Sequence, residues 1–192
     1  MTNIQQNLLK FVALFLLLSC SSLAAKEISG VTIPEKATLS DSTRLQLNGA
    51  GIRSKFFFDI YIGALYVETT SNSAKTLISS IAANRMLMHF LYDGVSKKKI
   101  TGGWTDGFEE NNSPQQFEKL KAALNQFNDL FTDTKKGDVI LLDYLPQTGT
   151  QVSINNELKG TIPGEEFNKA LRKVWLGDEP ADSGLKKALL GG

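Results

Sequence analysis

The sequence predicts an α+β fold in which a large antiparallel sheet is covered on one face by helices. Three observations carry that prediction. The C-terminal half holds three strand-like runs, DVILLDYL, TQVSIN and ELKGTI, joined by a Pro-Gln-Thr-Gly turn and by Asn155-Asn156, and turns this tight join antiparallel neighbours. A longer run, Phe56 to Val67, is apolar on both faces, as a buried central strand requires. Between and after these strands lie segments whose apolar residues recur at helical spacing, so helices must cover the sheet.

The chain has 192 residues, enough for one domain with a real core. Residues 1–24 read as a secretory signal peptide: Lys10, the apolar run Phe11 to Leu18, then small residues ending in Ser22-Leu23-Ala24. The expected location is therefore the periplasm, with residues 25–192 as the single folded domain. The rival is Leu17 to Cys20, which resembles a lipobox; that reading makes a lipoprotein anchored at Cys20, and it is the only route to a membrane that the sequence suggests. Lys10 is the only charge in the leader, so of 21 basic and 20 acidic residues the mature chain keeps equal numbers. A neutral balance argues against nucleic acid or an anionic membrane as the main partner. Cys20 is the only cysteine and His89 the only histidine. The mature domain therefore has no disulfide and no thiolate chemistry, and no metal is expected.

In chain order, the start gives two short strand-like pieces around a Pro/Asp/Ser turn, and Gly49-Ala50-Gly51 reads as a turn ahead of Arg53. Ser73 caps a short helix, AKTLISSIAA. The next strand runs from Arg85 to Asp93, with Met86, Met88, Phe90 and Tyr92 on one face and His89 on the other. A helix spans the stretch around Trp104 despite Gly102 and Gly103. Ser113-Pro114-Gln115-Gln116 starts the clearest helix, with Phe117, Leu120, Leu124, Phe127 and Leu130 as its inward stripe. Glu165 to Leu176 is a helix with stripe Phe167, Leu171 and Val174, closed by Gly177, and SGLKKALLG forms the last one.

Arg53 is the residue that asks for an explanation. An arginine fork binds a carboxylate bidentately, most strongly where water is excluded. The plain alternative is a solvated arginine, or one paired with Asp59 or Glu68. His89 lacks visible partners for a general base, the Met86/Met88/Phe90 stripe reads as core, and Lys97-Lys98-Lys99 reads as the solvated first turn of a helix.

LNGAGIR followed by FFFDIYIGALYVE resembles the chalcone isomerase family, in particular its bacterial chalcone isomerase-like branch. The likeness continues through ITGGWTDGFEENN and GTIPGEEFNKALRKVWLGDEPADSGLKKALLG, covering most of the mature chain in order. The resemblance implies an open-faced β-sandwich whose helix layer holds a cleft against the sheet. The family contains enzymes that close a chalcone to a flavanone without a cofactor, and non-catalytic members that bind fatty acids. Its arginine at the cleft corresponds to Arg53. Asn111 falls at an active-site asparagine, Trp104 stands where the enzymes have a tyrosine, and Ile60 and Val174 replace two threonines. The cation is thus kept while most proton-handling groups are lost, which suits an apolar pocket for a carboxylate head and a greasy tail.

The expectation is a monomeric, exported, cofactor-free protein that binds a fatty acid or similar small amphipathic ligand. Arg53 holds the anion, Trp104 and Asn111 support it, and Phe58, Ile60, Tyr61 and Val174 line the cleft. The alternative is an isomerase or lyase acting on a small enone or phenolic compound. A third reading, a structural or partner-binding protein, requires a collapsed cleft and an Arg53 tied up in a salt bridge.

Overall fold

A computed structural model describes residues 25–192; the leader, its cleavage site and Cys20 lie outside the described residues. Among the described residues nine strands form two sheets. β1 (Ala25–Ile28) and β2 (Val31–Pro34) make a small hairpin. The main sheet is an antiparallel meander of β3 (Lys36–Thr38), β4 (Arg44–Lys55), β5 (Phe58–Val67), β6 (Asn84–Phe90), β7 (Val139–Leu145), β8 (Gly149–Ile154) and β9 (Glu157–Ile162), in that order. Five helices complete the described chain: α1 (Ala74–Ser79), α2 (Lys97–Glu110), α3 (Pro114–Asp129), α4 (Glu165–Leu176) and α5 (Ser183–Leu189). The predicted α+β class and one-sided helix layer are what the structure has.

The pleat divides the core in two. On the helix face, Tyr61, Leu65, Met86, Met88, Phe90, Ile140, Leu142 and Val152 pack against Trp104, Phe108, Phe127, Phe167, Val174 and Leu185 from the helices. On the other face, Ala50, Ile62, Ala64 and Tyr66 pack against Ile33 and Leu39 beneath the small hairpin. Farther along the sheet that second face is polar: Arg85 holds Asp143 through two hydrogen bonds of 2.6 Å. The sandwich is open there.

Local chemistry sets the helix ends. The side chains of Ser73, Ser96 and Ser113 each accept a hydrogen bond from a first-turn backbone amide, and Ser113 with Gln116 completes a capping box. Arg172, buried on α4, donates to the carbonyl oxygens of Leu77 and Ser80, tying α4 to the end of α1. Desolvation lowers its pKa to about 10.

Three expectations need correcting. Gly49-Ala50-Gly51 is not a turn; it lies inside β4. Its glycines make room for α5, because a Cβ on Gly49 would sit 2.1 Å from the Ala188 carbonyl oxygen and one on Gly51 would sit 2.5 Å from the Ala188 Cβ. The central strand does not begin at Phe56. Lys55 pairs with Phe58, so Phe56 and Phe57 form a two-residue hairpin turn, with Phe56 in the left-handed region at φ 57°. Finally, β6 stops at Phe90, because Leu91 and Tyr92 both turn to donate to the Ile60 carbonyl.

Candidate functional site

Antiparallel register sets Arg53 beside Tyr61 and Tyr61 beside Phe90. One row along the strands, Gly51 faces Gly63 and Gly63 faces Met88. Arg53 therefore lies on the helix face, at the end of a strip of missing side chains that lets α5 dock. Beyond that strip the helix layer lifts away from the sheet. The gap is a cleft of about 730 Å³, within the range of about 300–1,000 Å³ usual for small-ligand sites. Its walls are the β4–β5 hairpin (Lys55, Phe56, Phe58, Ile60), the segment ahead of α2 (Tyr92, Val95), the outer face of α2 (Lys98 to Glu110) and the loop Glu179 to Ala181.

A smaller recess of about 70 Å³ opens deeper, bounded by Tyr61, Met88, Phe90, Ile100, Trp104 and Val174. Arg53, Ile60, Val95, Lys99, Gly103 and Ala181 line both spaces, so they form the neck between them. The recess is lined by two cationic side chains, Arg53 and Lys99, and by no carboxylate. Asp106, Glu110 and Glu179 line only the outer cleft.

The sequence alternatives for Arg53 can be checked directly. Asp59 accepts a hydrogen bond from the Ser54 hydroxyl at 2.8 Å, and Glu68 accepts one from the Ala83 amide at 2.8 Å. Neither carboxylate is paired with Arg53, and among the described residues no salt bridge involves it. Its guanidinium lies 5.7 Å from the centre of the Tyr61 ring. Its Nε is buried and has no hydrogen-bond partner in the protein; the same is true of the indole Nε1 of Trp104. Buried donors are nearly always satisfied, and both of these belong to residues that line the recess; Arg172 Nε, away from it, is a third such donor.

Tyr61 is held in the same layer. Its hydroxyl oxygen accepts a hydrogen bond from Trp175 Nε1 at 2.9 Å, which leaves its proton available to a ligand. Burial pushes its pKa up, with the Arg53 charge opposing, so it acts as a donor and not as a base. Trp104 packs edge-on against Phe127 and Trp175, with ring centres 5.5 and 5.4 Å away.

Six of the seven sequence candidates converge here: Arg53, Ile60, Tyr61, Trp104 and Val174 at the recess, and Phe58 at the outer cleft. Asn111 does not. It caps the end of α2, donating to the carbonyls of Gly107 and Glu179 while its side-chain oxygen accepts from the Glu179 amide. Its amide is fully used in clipping α2 to the loop after α4, and Gly177 lacks a side chain where that amide sits. The residues that sequence reasoning missed are Tyr92, Val95, Lys99 and Ala181, drawn from three separate segments. Lys98 and Lys99 face the cleft instead of being merely solvated, and Met88 and Phe90 serve both core and recess.

His89 lines neither space; it lies on the opposite face of β6, between Ile62 and Val139. Burial pushes its pKa below the ordinary 6.5. The unfolded chain then binds a proton that the folded chain resists. Stability is therefore expected to fall as pH drops below about 6.5 and to level off once His89 titrates in the fold as well. Urea melts of wild type and His89→Gln at about pH 7 and about pH 5 check this, since the variant should lose that part of the slope.

Comparison with known proteins agrees with this fold. No curated protein sequence matches the chain. Among solved structures, a fatty-acid binding protein of Arabidopsis thaliana superposes with a TM-score of 0.70 at 14% identity, covering 87% of this chain and 96% of that one; it shares the fold. The family model described as chalcone isomerase-like matches residues 25–191, which is every described element from β1 to α5. The chain belongs to the chalcone isomerase-like family.

Proposed function

We propose that this is an exported binding protein for a fatty acid or a similar amphipathic carboxylate, with Arg53 as its anion anchor. The observation that carries the reading is the recess. Arg53 and Trp104, each with a buried side-chain nitrogen that has no partner in the protein, belong to the lining of a space that has two cations, a tyrosine hydroxyl and no carboxylate. Volume then decides which end of the ligand goes where. A recess of about 70 Å³ takes a head group but not an acyl chain. The tail belongs in the outer cleft, against Phe58, Ile60, Tyr92 and Val95. Ionic recognition at the neck and apolar burial outside it divide the work. The fatty-acid binding protein with the same fold supports the ligand class; the leader, read from sequence, supports export to the periplasm.

The test is native mass spectrometry of the protein recovered from its own envelope, followed by titration with a fatty acid and with the corresponding fatty alcohol. The acid is expected to bind at least about tenfold more tightly, since the alcohol keeps the tail and loses the charge-assisted bonds. Equal affinity for the two would remove the carboxylate from the reading. An empty protein that ignores both would remove the ligand class altogether.

A further inference from the structure

We infer that the tip of the β4–β5 hairpin docks on a lipid bilayer surface. Three consecutive phenylalanines stand there in the open: Phe56, Phe57 and Phe58 are 86%, 99% and 52% exposed. Among the described residues the other large apolar side chains in solvent are Ile81, in the loop after α1, and Leu158, on β9; they stand singly, and single ones need no explanation. A contiguous aromatic tip does.

The turn makes that display harder to dismiss. Phe56 occupies the first position of the two-residue turn with a left-handed backbone at φ 57°, where glycine fits without strain and an aromatic residue does not. Neither the backbone nor the hydrophobic effect rewards a ring there in water. An apolar medium outside the protein would reward it.

Shape and charge favour a bilayer over a protein. A tip of three rings is too narrow to supply the roughly 800 Å² per partner of a stable protein interface, but a fluid interface closes around a protrusion from all sides. Phenylalanine rings bury at the boundary between headgroups and acyl chains, and flanking lysines reach the lipid phosphates. Lys55 adjoins the turn, and Lys98 and Lys99, in the first turn of α2, line the same cleft. Of the nearby carboxylates, Asp106 and Glu110 lie two to three turns farther along α2, Glu179 lines the cleft from the loop after α4, and Asp59 stands beside Phe58, bonded to the Ser54 hydroxyl. Lys55, Lys98 and Lys99 outnumber Asp59 beside the phenylalanines, so a local basic excess stands within a chain of neutral overall balance. Because Lys55, Phe56 and Phe58 also line the outer cleft, a docked hairpin sets the cleft mouth against the lipid. The inference does not need the carboxylate reading, since the rings are exposed whatever the cleft holds.

Vesicle co-sedimentation tests it, in a Cys20→Ala background so that no acyl chain at that cysteine contributes. The wild-type hairpin is expected to partition onto phosphatidylethanolamine–phosphatidylglycerol vesicles, more weakly onto phosphatidylcholine, and less as salt rises. Phe57→Ser should lower the partition at least about tenfold, with an unchanged melting temperature and unchanged fatty-acid titration, because Phe57 lines neither cavity. Phe56→Gly should also weaken it while raising the melting temperature, since it relieves the left-handed position. Wild-type protein that stays in the supernatant with both vesicle types overturns the inference. So does undiminished partitioning of Phe57→Ser, or a hairpin-dependent dimer that forms in place of vesicle binding.

Discussion

Gly49→Ala is expected to destabilise the protein by about 3–5 kcal/mol, through a helix that lies far from it in sequence. The added methyl would sit 2.1 Å from the carbonyl oxygen of Ala188 and 2.7 Å from that of Leu189. Both are backbone atoms, so no side chain can swing away; α5 must lift. Lifting it exposes Leu185 and Leu189, both fully buried, at about 2 kcal/mol each. It also breaks the 2.6 Å hydrogen bond from the Asn48 side chain to the Leu189 carbonyl. For a domain of this size that corresponds to a melting temperature lower by roughly 10 °C. Gly102→Ala is the matched control. Its Cβ would meet nothing within 4 Å, so the same chemical change in a helix should raise stability by about 0.5–1 kcal/mol. Thermal melts of the two variants separate a packing requirement from a backbone preference. If Gly49→Ala is as benign as Gly102→Ala, the glycine strip does not seat α5.

The consequence reaches the site. The residue preceding α5, Asp182, accepts hydrogen bonds from its own Leu185 amide at 2.7 Å and from the Ser54 amide at 3.2 Å. Ser54 is the neighbour of Arg53, and Ala181 lines the neck of the recess. Seating α5 thus fixes one wall of the arginine's environment. A Gly49→Ala protein that still folds is expected to bind ligand more weakly through a loosened neck.

How much of this was legible in the sequence depended on the range of the signal. Helix α4 was readable to the residue, since Gly177 marks its end while Phe167, Leu171 and Val174 mark its inner face. Ser113 announced α3 in the same local way. The Gly-Ala-Gly strip was misread because glycine has two uses, and only α5, more than a hundred residues later, shows which one applies. Phe56 and Phe57 were misread as strand because aromatic residues favour strands and nothing in the turn signals a turn. The site shows the same division. Arg53 was identifiable from chemistry and from resemblance, whereas Val95, Lys99 and Ala181 join it only through tertiary folding. Asn111 had the right residue type at the right place in the order, but its hydrogen bonds were already committed to the backbone. A motif fixes which side chain is present; the partners it finds decide what that side chain can still do.

Arg53→Met should move stability and binding in opposite directions. Methionine keeps an unbranched stem of similar reach against Tyr61 and loses the guanidinium. The wild-type fold carries a buried Nε with no partner in the protein, and an unsatisfied buried donor costs about 1–3 kcal/mol. Removing it is expected to leave the ligand-free protein as stable as wild type or up to about 2 kcal/mol more stable, less whatever the cation contributed over the Tyr61 ring at 5.7 Å. Affinity for a fatty acid should fall about a hundredfold, the worth of two charge-assisted hydrogen bonds. Arg53→Lys should fall between the two, because an ammonium keeps the charge without the planar fork. Binding sites commonly hold groups that the fold alone would not choose, and a stability gain coupled to a binding loss is the signature of such a group. A scaffold arginine predicts the reverse pattern, with Arg53→Met melting several degrees lower and binding fatty acid as before. Calorimetric melts of the ligand-free proteins beside a fatty-acid titration measure both quantities, and the sign of the stability change alone separates an anchor from a scaffold.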